Sequence, residues 1–93
     1  MVVGTFEVQF RIPGSFTLKD KRRVIKSMIA RMKNLYNVSV AETDGNDNAS
    51  IGVLGGACVS NSKSSVQSQL THVRTFVESN PSIVIFDYFE EIL

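Results

Sequence analysis

The sequence predicts a single α+β domain with the element order β-α-β-β-α-β. Three observations predict it. Apolar and polar residues alternate over positions 2–12. Two longer stretches carry apolar residues at helical spacing. A turn-rich gap at 44–48 divides two further strand-like runs. Alternation with period two marks a strand with one packed and one wet face, and spacing of three and four marks a helix with one buried stripe. Ninety-three residues make one domain that can build its core without metal or disulfide staples.

The first strand, 2–12, puts Phe6, Val8, Phe10 and Ile12 on one side and Thr5, Glu7, Gln9 and Arg11 on the other. Pro13-Gly14-Ser15 ends it, because Pro lacks an N–H and Gly accepts turn geometry. A helix is predicted over 18–36 with Thr17 as N-cap. Its stripe is Val24, Ile25, Met28, Ile29, Met32, Leu35 and Tyr36, an arc of about 140°. The second strand covers 38–43. Asp44-Gly45-Asn46-Asp47-Asn48 forms a polar turn, and the third strand runs over 51–59 to complete a hairpin. Gly55-Gly56 within it predicts a bulge or a close backbone approach. The second helix covers 62–79, with capping side chains at Ser60, Asn61 and Ser62 and a stripe of Val66, Leu70, Val73, Phe76 and Val77. Asn80-Pro81 stops it, and residues 83–93 form the last strand.

Two split βαβ units joined in this way give a ferredoxin-like sandwich. The expected sheet is four-stranded and antiparallel, order 4-1-3-2, with both helices on one face. The other face then meets solvent, a partner or a second copy.

Composition narrows the function classes. The net charge is only +1, so a polyanion partner has to be argued from where the charges sit. Cys58 is the single cysteine, which excludes an internal disulfide and a thiolate metal cluster within one chain. The sequons at Asn37 and Asn48 are read as unglycosylated. No continuous apolar segment resembles a signal peptide or a membrane span, so a cytoplasmic location and no membrane partner are expected.

Catalytic chemistry finds little support. His72 is the only histidine and sits at the edge of the second helix's apolar stripe. Cys58, inside a strand, is read as packing rather than reacting. Asp44-x-Asn46-x-Asn48 opens like a calcium loop, but Ala49 stands where Gly is required and Gly55 where a bidentate Glu is required. Gly52-Val53-Leu54-Gly55 copies the letters of a KH-type loop but falls inside a strand. Residues 52–59 lack the aromatics of an RNA-recognition motif. Glu90 and Glu91 are successive strand positions and face opposite sides. No enzyme, cofactor or metal is expected.

One feature rises above this background. Seven of the ten Lys and Arg residues lie between positions 19 and 33, opposed only by Asp20. Lys19, Arg22, Arg23, Lys26 and Lys33 fall within an arc of about 100°, opposite the apolar stripe. Arg31 flanks the stripe, and Lys21 lies in the first turn near the loop. Like charges at i,i+4, such as Lys19 with Arg23 and Arg22 with Lys26, cost a helix roughly 0.2–0.5 kcal/mol each. Cations at a helix N-terminus also oppose the macrodipole. A plain solvated face would intersperse acids, so an unrelieved ridge points to an external anion.

Several segments resemble the YlxP-like family of small bacterial proteins: Ile12-Pro13-Gly14, Leu18-Lys19-Asp20-Lys21-Arg22-Arg23-Val24, Asn37-Val38-Ser39-Val40-Ala41-Glu42, Val59-Ser60, Phe76-Val77-Glu78 and Glu91-Ile92-Leu93. The resemblance covers nearly the whole chain and implies a ferredoxin-like fold of unknown function. Genes of that family often lie beside those for translation initiation and ribosome-binding factor A, which implies a ribosome-linked role by association alone. The family's Asp-x-Trp after the second strand is missing here: Asp47 is followed by Asn48 and Ala49, and the chain has no Trp.

The expectation is therefore a non-enzymatic module that binds RNA or a ribosomal subunit. Lys19, Arg22, Arg23, Lys26 and Lys33 would contact phosphates, with Lys21 and Arg31 assisting. The alternative is a homodimeric protein–protein module that uses the bare sheet face or the last strand's edge.

Overall fold

The elements follow the hydrophobic periods closely. They are β1 (Val2–Arg11), α1 (Leu18–Leu35), β2 (Ser39–Asp44), β3 (Ile51–Ser60), α2 (Lys63–Glu78) and β4 (Val84–Ile92). The structure is a computed structural model that describes residues 1–45 and 47–93. Asn46, within the predicted polar turn, lies outside the described residues.

The four strands form one antiparallel sheet in the order β2-β3-β1-β4, the expected order read from the other edge. β1 is central and pairs with β3 from Val2↔Ser60 to Arg11↔Ile51 without a break. Phe6, Val8 and Phe10 of β1 and Leu54 and Cys58 of β3 face the helices. There they meet Ile25, Met28 and Met32 of α1 and Val66, Leu70, Val73 and Val77 of α2. Val3, Thr5, Glu7, Gln9 and Arg11 occupy the alternate positions of β1, on the open face.

The helix ends are fixed by side chains. Thr17 caps α1: its hydroxyl accepts from the Asp20 N–H at 3.1 Å, and the Asp20 carboxylate accepts from the Phe16 and Thr17 N–H groups at 3.2 and 3.3 Å. This reciprocal pairing satisfies donors that a helix start otherwise leaves orphaned. Ser62 is the cap of α2, accepting from the Ser65 N–H at 3.2 Å.

Gly55-Gly56 does not form a bulge, because the β1–β3 register runs through it unbroken. The glycines answer a close approach instead. The Phe6 ring lies across Gly56, where a Cβ would stand 2.5 Å from the ring and 2.7 Å from the Ser39 carbonyl oxygen. Irregularities occur elsewhere, between Gln9 and Phe10 against β4 and between Glu42 and Asp44 against β3.

Leu35 departs from the predicted stripe. It is exposed, because Tyr36, the C-cap, turns to α2 in its place, with its ring edge-on to Phe76 at 6.0 Å.

Candidate nucleic-acid interface

α1 presents its cations in two groups. Lys19, Arg22, Arg23, Lys26, Arg31 and Lys33 are exposed on the helix. Lys21 is not. It is only 2% exposed, and its ammonium lies 2.9 Å from the Glu42 carboxylate. It also donates to the Asn48 carbonyl oxygen at 2.8 Å and to the Gly45 carbonyl oxygen. Two backbone carbonyls accept from the ammonium, and the carboxylate balances its charge. The assisting role expected for Lys21 is therefore corrected: this lysine fastens α1 to the end of β2 and to the β2–β3 loop, and no phosphate reaches it.

None of the six exposed cations forms an ion pair among the described residues, although Arg23 acts at longer range on Asp20. The ion pairs among those residues are Lys21–Glu42 and Arg74–Glu78. Asp20, the one acid of α1, is taken up by the capping box. The Phe16 N–H, then the Thr17 hydroxyl, hold its carboxyl below the ordinary aspartate value of 3.8. It stays ionised, with its lone pairs committed to the backbone at the helix start.

Arg31 is positioned by stacking. Its guanidinium carbon lies 5.0 Å from the centre of the Phe76 ring, a geometry that attracts a cation electrostatically. Arg31 and Arg23 line the same cleft, about 220 Å³, between α1 and the turn into β4, with Ser27, Asn80 and Ser82 contributing polar groups. Two guanidinium groups beside hydroxyl and amide donors are the chemistry that suits a phosphate oxygen. Sequence reading did not anticipate this cleft. Arg23 and Arg31 are eight positions apart, and Asn80 and Ser82 come from the far end of the chain.

The remaining sequence candidates have ordinary surroundings. His72 is exposed and stacks on Tyr36 with ring centres 6.1 Å apart. Cys58 is buried, and burial pushes its thiol up from the usual value. Glu90 and Glu91 pair with Phe6 and Thr5, on opposite faces of the sheet. A concavity of about 570 Å³ lies on the open sheet face between Phe89 and Thr43, with Gly55 and Ala57 among its lining. Its one charged group is Glu7, which accepts from the Thr43 hydroxyl at 3.4 Å. Among the described residues no group of three His, Cys, Asp or Glu converges on a metal position. No described helix is long and apolar enough to cross a membrane.

The family described as "Protein of unknown function (DUF503)" matches residues 3–89, which include all of α1 and the whole sheet up to Phe89. The chain belongs to that family. It is also similar to the "Uncharacterized protein YlxP" of Bacillus subtilis (strain 168), at 33% identity over 82 residues, covering 88% of this chain and 89% of the relative. The match spans the basic helix and the β2–β3 loop alike. In that loop Asn48 does the local work. Its side-chain oxygen accepts from the Ser50 and Ile51 N–H groups at 2.9 and 3.1 Å, and its carbonyl receives Lys21.

Proposed function

We propose that this DUF503 member is a non-enzymatic module that binds RNA, free or within a ribosomal subunit, through the outer face of α1. The observation that carries the reading is the set of six exposed cations on one helix with no carboxylate partner among the described residues. Their repulsion is a standing cost to the helix, and an external polyanion offsets it. The cleft lined by Arg23 and Arg31, with Ser27, Asn80 and Ser82 beside them, offers a place where an oxyanion such as a phosphate could be held. Recognition through backbone phosphates is expected to follow RNA shape more than sequence.

Co-sedimentation with ribosomal subunits, and titration with a single-stranded RNA oligonucleotide across a salt series, test this. Five ridge contacts predict a log–log salt slope of about −3.5 on a single strand. The combined change Arg22→Glu, Arg23→Glu and Lys26→Glu should abolish association while the circular dichroism spectrum stays native. Association that survives this change ends the reading. A homodimer, the other expectation, has the exposed Phe89 in its favour, and would sediment as a dimer indifferent to RNA and salt.

A further inference from the structure

β4 is an edge strand of nine residues, hydrogen-bonded to β1 on one side only. An edge of this length leaves a row of backbone donors and acceptors available for another chain. Proteins usually blunt such edges with Lys, Pro or brevity. β4 contains neither Lys nor Pro, and its single irregularity is the register break opposite Gln9 and Phe10. Its apolar side chains are also open to solvent: Phe86 is 56% and Phe89 60% exposed, with Val84 and Leu93 exposed beyond them.

The charges around this edge select what can cover it. Asp87, Glu90 and Glu91 lie within β4, which itself carries no cation; the basic groups beside it belong to its neighbours, Arg74 of α2 over the Tyr88 ring and Arg11 of β1 opposite Val84. Asp87 and Glu91 share the open face with Glu7, which pairs with Phe89. A second copy pairing edge to edge about a two-fold axis would bring these acids together. With the two strands fully overlapped, Asp87 stands diagonally across from Glu91 of the other copy, and a shift of two residues either way sets Asp87 directly across from Asp87 or Glu91. Like charges so placed destabilise strand pairing. The same acids repel the phosphates of a nucleic acid that would otherwise stack on Phe86 and Phe89. A basic polypeptide meets neither objection.

We propose that the β4 edge receives an extended basic segment of a partner protein as a fifth strand. Main-chain hydrogen bonds would supply affinity, and Lys or Arg at alternate positions would face Asp87 and Glu91. This surface is separate from the α1 ridge, and the inference does not rest on RNA binding.

The probe is a ten-residue peptide of alternating Lys and Val, titrated against the full chain by fluorescence anisotropy at low salt. Saturable binding is expected, with amide exchange slowed along β4 in the unmodified protein. Replacing every second peptide amide by its N-methyl form should cost at least tenfold in affinity, because charge is kept and strand pairing is lost. The Asp87→Lys, Glu91→Lys variant should lose binding to a similar degree, with its native circular dichroism spectrum checked in parallel. Four outcomes overturn the proposal: no binding of the peptide; equal affinity for the N-methyl peptide; a stable dimer whose contact protects β4 without peptide; or a single-stranded RNA oligonucleotide that protects β4 in place of the peptide.

Discussion

The Lys21 ammonium and the Glu42 carboxylate stand 2.9 Å apart, joining the first turn of α1 to β2 beneath a helix whose other cations face outward. One helix thus carries a lysine committed to the fold beside six cations to which the proposed RNA contact is assigned, and substitution separates them.

Lys21→Met should destabilise the fold and spare RNA association. The change leaves Glu42, three-quarters buried, without its counter-charge, and frees the carbonyls of Gly45 and Asn48. Breaking a buried pair by removing one partner costs about 3–5 kcal/mol. The residual exposure of Glu42 puts the expected loss near the lower end, about 3 kcal/mol, read from the midpoint of urea unfolding. An unchanged midpoint would show that Met fills the space and that the ion pair adds nothing.

The capping box should make α1 sensitive to acid. Asp20 has a folded-state value lowered beneath 3.8, so it binds its proton less readily when folded than when unfolded. Its contribution is therefore complete above that ordinary value and is lost as pH falls through the lowered one. Acid titration should show the N-terminal turn of α1 opening below about pH 3.8, with faster amide exchange at Phe16 and Thr17. In Asp20→Ala that turn should be frayed already at neutral pH.

Tyr88 gives the opposite limb. Its hydroxyl donates to the Glu90 carboxylate at 3.1 Å, and burial, followed by the Glu90 charge, drives its value far above the ordinary 10. A raised value means that the folded state holds the proton more tightly, so stability is complete below pH 10 and falls as pH rises beyond it. Ultraviolet titration near 295 nm should find one of the two tyrosines ionising only as the protein unfolds. Tyr88→Phe should remove that alkaline loss.

Gly56→Ala tests why the third strand carries paired glycines. The added methyl would stand 2.5 Å from the Phe6 ring and 2.7 Å from the Ser39 carbonyl oxygen. The ring has to shift in a packed core, and overpacking of this kind costs typically 1–3 kcal/mol. The companion change Phe6→Leu makes room for the methyl, so the double variant should lose less than the sum of its parts. Strict additivity in thermal unfolding would disprove the contact.

Most of the fold was legible because it rests on period. The alternation of β1 and the stripe of α2 place the same residues inside as the structure does. The basic face of α1 was legible for the same reason. Lys21 was misread although its spacing was informative: with Ile25, Met28 and Met32 it forms one buried row at intervals of four, three and four. Its charge concealed that position, and its partner Glu42, in a different element, left no local trace. The Arg23–Arg31 cleft depends likewise on Asn80 and Ser82, which only the closed tertiary structure brings to α1.

The placement of β1 between β3 and β4 governs when the molecule can become whole. Gly4 is matched with Ile92, so the first of the four strands stays incompletely framed until the fourth has formed. Such distant pairing makes folding slow and global, since the entropy of closing that span is spent before any contact returns it. A growing chain would therefore hold its central strand half-bare until β4 emerges, and a cut within β4 should unravel the centre of the sheet along with its margin.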